Sequence, residues 1–313
     1  MEKRQQEQHS AARREEERGR AGGGKAGDRA ITLKELLRIL NTSRLSTVSA
    51  ETTLLSAMPK LREKGFDDVV LIDTSKSPAR ERYRPDRPVV ISGYSIVSKL
   101  LETRPENYGH LLDSPCLDSS LVVGTVGEES DLLSIFHVYE STTFGIAIIH
   151  NSKDKEIVGR LTVRDLCRLY QSGVISASLV IDDVASSPIF NLPKNAGLRQ
   201  TLKELETRKF RKIQVAGTDR IVSDKQILSH IFDEKRLDTI SKTPERLLEG
   251  TLEEVHPASS LRIDGKRSVK DAAKLLGERE YECLLTERGI VTTWDLIIKP
   301  WRLGELRVSN ESA

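Results

Sequence analysis

Two heptapeptides hold the residue types that could read a ribose ring. They are Gly159-Arg160-Leu161-Thr162-Val163-Arg164-Asp165 and, near the C-terminus, Gly289-Ile290-Val291-Thr292-Thr293-Trp294-Asp295. Each follows a short apolar run with strand character and opens a run with helix character. A glycine at a strand end lets a ligand come close to the backbone. A hydroxyl at a helix start can cap the helix or meet a phosphate there. A carboxylate three residues on, one helical turn away, faces the same side and can accept from two neighbouring ribose hydroxyls. One chance G-x-x-T-x-x-D in a chain of 313 residues has a probability of about 0.05, so two in the same context demand a cause. Each pair also has a plain alternative. Thr at the N-cap and Asp in the first turn complement the helix dipole with no ligand at all.

Phosphates need cations. Arg160 and Arg164 flank Thr162, and Arg208-Lys209-Phe210-Arg211-Lys212-Ile213 places Arg211 and Lys212 between a helix and a strand. The same dense charge also suits a solvated helix end, where Lys and Arg meet the dipole favourably. The long connection from Thr74 to Pro88 carries Lys76, Arg80, Arg82, Arg84 and Arg87 against Glu81 and Asp86, with Tyr83 between them. It reads as a solvated insertion or a contact loop for protein or nucleic acid.

Composition narrows the classes. The 49 basic and 47 acidic residues leave a net charge of +2, and aromatics are 4%. There is thus neither a global basic field nor a platform for stacking many bases. Cys116, Cys167 and Cys283 are far apart and odd in number, which fits a reducing cytoplasm better than a disulfide framework. The six histidines are scattered without metal-ligand spacing. No G-x-S-x-G or P-loop occurs, and an enzyme is not expected. No apolar run reaches 18 residues and no apolar signal core opens the chain, so a soluble, cytoplasmic protein without a membrane span is expected.

The elements that must position these residues recur. Residues 1–30 are charged and Gly-rich and read as a disordered tail. From residue 31 a β-α-β-β-α pattern repeats four times. Its first helices are expected near Leu54–Lys64, Leu132–Tyr139, Leu198–Thr207 and Val269–Leu276. The strand pairs are expected at Val69–Ile72 with Val89–Ser92, Gly145–Ile149 with Ile157–Leu161, Lys212–Val215 with Arg220–Val222, and Glu282–Leu285 with Gly289–Val291. Taking Gly93, Gly159, Arg220 and Gly289 as equivalent gives spacings of 159−93=66, 220−159=61 and 289−220=69, a tandem-repeat signature. In this register the first repeat keeps a hydroxyl at Ser95 but has Ser98 for the carboxylate. The third keeps Ser223 but lacks both glycine and carboxylate. Thr243-Pro244-Glu245 is a helix-start signal in the 233–249 bridge.

An α/β unit of this order, closed by G-h-x-T-x-x-D, resembles the cystathionine-β-synthase (CBS) domain over residues 31–301. The resemblance implies four tandem CBS repeats paired through their strands into two modules, 31–175 and 176–301, stacked as one flat disk, with a C-terminal tail at 302–313. It also implies a non-catalytic regulatory protein that binds AMP, ADP, ATP or S-adenosylmethionine between paired repeats, with no tightly bound cofactor. Asp165 and Asp295 would hold the ribose hydroxyls, Thr162 and Thr292 the ribose or first phosphate, and Gly159 and Gly289 the close approach. Ser95 and Ser223 would mark the weaker clefts, Arg160, Arg164, Arg211 and Lys212 would face phosphate, and Ile146 and Ile148 would flank the adenine. Partners implied are the adenosyl molecule, a regulated protein and a second copy of the chain. A ligand-independent scaffold and a nucleic-acid-binding protein are the alternatives.

Overall fold

The computed structural model describes residues 30–42, 45–66, 68–74, 88–142, 145–209, 211–278 and 280–309. The charged N-terminal stretch up to residue 29 and the basic residues of the 74–88 connection lie outside them.

Hydroxyl residues start the closing helices of all four repeats. Ser92 caps α3 (Gly93–Glu102), Thr162 caps α6 (Val163–Leu169), Ser223 caps α9 (Asp224–Ile231) and Thr292 caps α12 (Thr293–Leu303). Each is the last or next residue of a short strand, so the backbone is already extended where the N-cap requires it. The equivalent spacings are therefore 162−92=70, 223−162=61 and 292−223=69. This moves the expected register of the first repeat by three residues. Ser92, not Ser95, matches Thr162, and Ser95 occupies the position of Asp165. Gly93 is the first helical residue rather than the counterpart of Gly159.

Four small sheets follow one rule: two parallel strands, then an antiparallel return. The first holds β1 (Ser46–Ser49), β2 (Val69–Asp73), β3 (Val89–Ser92) and an added β4 (Leu121–Val122). The second holds β5 (Thr125–Gly127), β6 (Ile146–His150) and β7 (Ile157–Thr162). The third is β9 (Asn191–Leu192), β10 (Lys212–Val215) and β11 (Ile221–Ser223), and the fourth β12 (Ser260–Arg262), β13 (Cys283–Leu285) and β14 (Ile290–Val291). Between the parallel strands of each run the first helices, α2 (Leu54–Glu63), α5 (Leu133–Thr142), α8 (Leu198–Arg208) and α11 (Val269–Gly277), as a parallel connection demands.

Packing pairs the repeats in two ways. Sheet residues Val69, Val90 and Val123 meet Ile146 and Ile148, joining repeats one and two. Ile221, Cys283, Leu285 and Ile290 join repeats three and four. Two larger cores, built mainly by the helices, pair the repeats differently: one buries Leu54, Leu61 and Ile96 with Leu198, Ile227 and Leu228, the other Phe136, Leu161 and Leu166 with Leu276, Leu284 and Leu296. Repeat one thus packs on repeat three, and repeat two on repeat four. The buried leucines and isoleucines contribute roughly 1.5–3 kcal/mol each.

The segments that open each half cross to the other repeat. Helix α1 (Leu33–Leu40), capped by the reciprocal Thr32–Glu35 pair, docks on repeat two, with Leu33 N–H donating to Ser130 O. The single turn α7 (Ile181–Val184) docks in the same way on repeat four, Ile181 N–H donating to Arg267 O. In the bridge, the helix is α10 (Glu234–Lys242), capped by Asp233, whereas Thr243-Pro244-Glu245 opens only a short 3-10 turn. The described residues after 301 are ordered too, against a tail from 302. Helix α12 continues to Leu303, and β15 (Arg307–Val308) pairs with β8 (Ile175–Ser176).

Candidate functional site

The four closing helices differ at their third residue, the position from which a carboxylate could read a ribose. Asp165 Oδ2 accepts from the Thr162 amide at 2.9 Å and hydroxyl at 2.7 Å, while Thr162 Oγ1 accepts from the Asp165 amide. Among the described residues its Oδ1 has no protein partner. Asp295 begins alike, with Oδ2 accepting from the Thr292 amide at 2.8 Å and hydroxyl at 2.7 Å. Its Oδ1, however, takes the Ser186 hydroxyl at 2.7 Å and pairs with Lys299 Nζ at 3.0 Å. In repeat three Gln226 Oε1 accepts from the Ser223 amide and hydroxyl, and Nε2 donates to Glu282 at 2.8 Å. In repeat one Ser95 Oγ accepts from the Ser92 amide and donates to the Ser92 carbonyl, while Ser92 Oγ accepts from the Ser95 amide.

The two glycines differ in what they admit. An added Cβ at Gly289 would lie 2.2 Å from the Ser186 carbonyl oxygen, because Ser186 and Ile290 exchange backbone hydrogen bonds. At Gly159 it would meet only the side chain of Leu37, at 3.1 Å. Gly289→Ala is therefore expected to cost about 2–3 kcal/mol and Gly159→Ala under about 1, since only an aliphatic tip can move aside. Urea unfolding of both variants checks the order, and equal costs would contradict the close approach at Gly289.

Arg160 lies buried on β7 and crosses to the first repeat. Its guanidinium pairs with Asp68, also buried, and its other terminal nitrogen stands 3.7 Å from Asp165 Oδ2. The remaining expected phosphate ligands are engaged elsewhere. Arg164 donates to Leu276 O across the repeat-two/repeat-four core at 2.9 Å. Arg211 makes two hydrogen bonds to Asp224 Oδ2, at 3.1 and 2.7 Å. Lys212 stands 3.6 Å from Glu282. Burial alone would raise the Glu282 carboxyl, but Lys212, Lys225, the Gln226 hydrogen bond and Arg164 together hold it below the usual carboxylate range. Ile146 and Ile148 pack in the seam between the first two sheets, against Val69, Val90 and Val123.

Asp68, Ser186, Glu282 and Lys299 complete these contacts and were not singled out by their own sequence context. Register offers a partial signal. Asp68, Gly145 and Arg211 each precede the strand residue that pairs with a helix N-cap (Val69 with Ser92, Ile146 with Thr162, Lys212 with Ser223), and Glu282 likewise precedes the first residue of β13. Three of these four positions carry charge, and each charged one forms an ion pair.

Burial pushes the Cys116 and Cys283 thiols up to about 11, and that of Cys167 higher still. All three therefore stay protonated and poorly nucleophilic at neutral pH. Trp301 stacks on Phe136 with ring centroids 4.6 Å apart, a packing role. Among the described residues no group of three or more His, Cys, Asp or Glu is arranged to hold a metal. No described helix is long and apolar enough to cross a membrane.

No protein-family model matches the chain, and no curated protein matches its sequence. Solved structures do. Protein MJ1225 from Methanocaldococcus jannaschii, described as a candidate archaeal homolog of g-AMPK, matches with TM-score 0.70 at 16% identity, over 85% of this chain and 99% of that one. An uncharacterized conserved protein from Pyrococcus horikoshii matches with TM-score 0.49 at 15% identity, over 85% and 98%. The CBS domain protein PAE2072 from Pyrobaculum aerophilum, complexed with AMP, matches over 44% of this chain and 91% of that one at 20% identity and TM-score 0.33. The four β-α-β-β-α repeats, joined in pairs through their sheets, carry the fold of CBS-domain proteins.

Proposed function

We propose that this chain is a non-catalytic regulatory sensor that takes an adenosyl ligand in the cleft beside Asp165 and passes its occupancy to a protein partner. One observation carries the choice of cleft. Of the four residues at the third helical position, only Asp165 keeps a carboxylate oxygen without a partner among the described residues. A carboxylate accepts only, and a ribose diol offers two donors, so the match is chemical as well as geometric. The capping pair does not compete, because it uses Oδ2 alone.

Arg160 supplies a route from ligand to fold. It stands beside Asp165 and holds Asp68 of the first repeat. A ligand that touches Asp165 therefore acts on the contact that fixes one repeat against the other, and favours whichever arrangement it contacts best. The two modules of this reading are residues 31–175 and 176–301.

The test is thermal unfolding of the full chain with AMP, ADP, ATP and S-adenosylmethionine, with and without magnesium. At about 100 times its dissociation constant, a ligand with one site adds about 2.7 kcal/mol, and at least one of the four is expected to do so. No stabilisation by any of them would leave the ligand-independent scaffold as the better reading, with both Thr–Asp pairs serving only as caps.

A further inference from the structure

We propose that the cleft of the fourth repeat is closed by the chain's own Ser186 and Lys299, and that undoing this latch exposes a second place for an adenosyl ligand. The second half of the proposal rests on the function proposed for the Asp165 cleft; the first half does not. The crossing segments of the two halves enter alike. Thr32 bridges Asp131 and Val180 bridges Ser268, and each segment then begins a helix. They diverge after one turn. Helix α1 continues to Leu40 and lays only the Leu37 side chain on Gly159. Helix α7 stops at Val184, and the extended chain after it pairs with β14, Ser186 N–H donating to Ile290 O at 2.8 Å and Ile290 N–H to Ser186 O at 3.0 Å.

That path brings the Ser186 hydroxyl to Asp295 Oδ1 at 2.7 Å, equivalent to the Asp165 oxygen that has no partner among the described residues. A hydroxyl donating to this carboxylate oxygen is what a ribose would supply. Lys299, one helical turn below Asp295, secures the arrangement. Its ammonium has three donors and meets three acceptors: Val184 O at 2.7 Å, Ser186 Oγ at 2.9 Å and Asp295 Oδ1 at 3.0 Å. The side chain of Asp295 is 6% exposed against 16% for Asp165. The bare Cα of Gly289 serves the same closure, since the Ser186 carbonyl occupies the space of any side chain there. The occupant of the fourth cleft is thus the chain itself, serving as an internal surrogate for a nucleoside diol.

The test uses the full chain and the variant Ser186→Ala, Lys299→Met, which keeps the aliphatic stem of the lysine. Amide exchange at Ser186 and Ile290 is expected to be about tenfold faster in the variant, because hydrogen bonds to charged groups no longer hold the bridge. In calorimetric titrations with AMP, ADP, ATP and S-adenosylmethionine as probes, the stoichiometry of the tightest-bound probe is expected to rise from one to two per chain. Adding Asp295→Asn to the variant should return it to one. Unchanged exchange would overturn the latch. Faster exchange with the stoichiometry still at one would overturn the second site, as would a wild-type chain that already binds two and loses one with Asp295→Asn. If none of the four probes binds either protein, the proposed function falls, and the exchange result alone still upholds or refutes the latch.

Discussion

Replacing Arg160 with methionine is expected to lower the unfolding free energy by about 3–5 kcal/mol, the usual loss when one partner of a buried ion pair is removed. The side chains of Arg160 and Asp68 are 7% and 8% exposed. Removing the guanidinium strands the Asp68 carboxylate in the seam between two repeats, with Asp165 close by. Against a total stability of about 5–15 kcal/mol for a typical folded protein, the loss is large. Adding Asp68→Leu should recover most of it, because no buried charge then lacks a partner. Urea denaturation of the single and double variants measures both effects. A single-variant loss below about 1 kcal/mol would mean that water reaches the pair and that it does not fix the repeats.

The second large effect concerns affinity. Asp165→Asn is expected to weaken the adenosyl ligand by about 1.5–3 kcal/mol, roughly 10- to 150-fold in dissociation constant, through loss of charged hydrogen bonds to the ribose. Asn keeps the shape and one acceptor, so the fold should survive. Asp295→Asn should leave the affinity within about twofold, since both oxygens of Asp295 already serve Thr292, Ser186 and Lys299. It should instead lower stability by weakening the Lys299 contact. Calorimetric titration of the two variants beside the wild type separates these effects. Equal losses of affinity would contradict the assignment of a single cleft.

Much of the local structure is legible in the sequence because it rests on short-range physics. The expected helix at Leu198–Thr207 is found as Leu198–Arg208, and the strand Val89–Ser92 with the bounds expected for it. The hydroxyl-led helix starts are equally local, since cap and partner lie three residues apart. The register of repeat one misled for the same local reason. Ser92, Ser95 and Ser98 recur at intervals of three, so spacing alone offers two equivalent caps, and only the pairing of Val69 with Ser92 selects the first.

Nothing comparable distinguishes the two T-x-x-D motifs from each other. In both, the Asp carboxylate accepts from the Thr amide and hydroxyl, and what separates them is the chain laid opposite. Ser186 reaches Asp295 across 109 residues, and Arg160 reaches Asp68 across 92. The position before the middle strand shows why a repeat pattern hides such partners: it holds Asp68, Gly145, Arg211 and Glu282 in turn. Each residue answers a different neighbour. The crossing of α1 onto repeat two is hidden likewise, for a periodic apolar face says that a helix is buried but not against which repeat.

On the proposed function, one cleft, beside Asp165, receives the ligand. Amide exchange of the wild-type chain, with and without saturating amounts of whichever adenosyl compound stabilises it most, tests that claim most directly. Slower exchange is predicted over residues 159–166, where the β7 end and the first turn of α6 meet the ribose, with residues 289–296 unchanged. Protection centred on 289–296, or none in either segment, would contradict it.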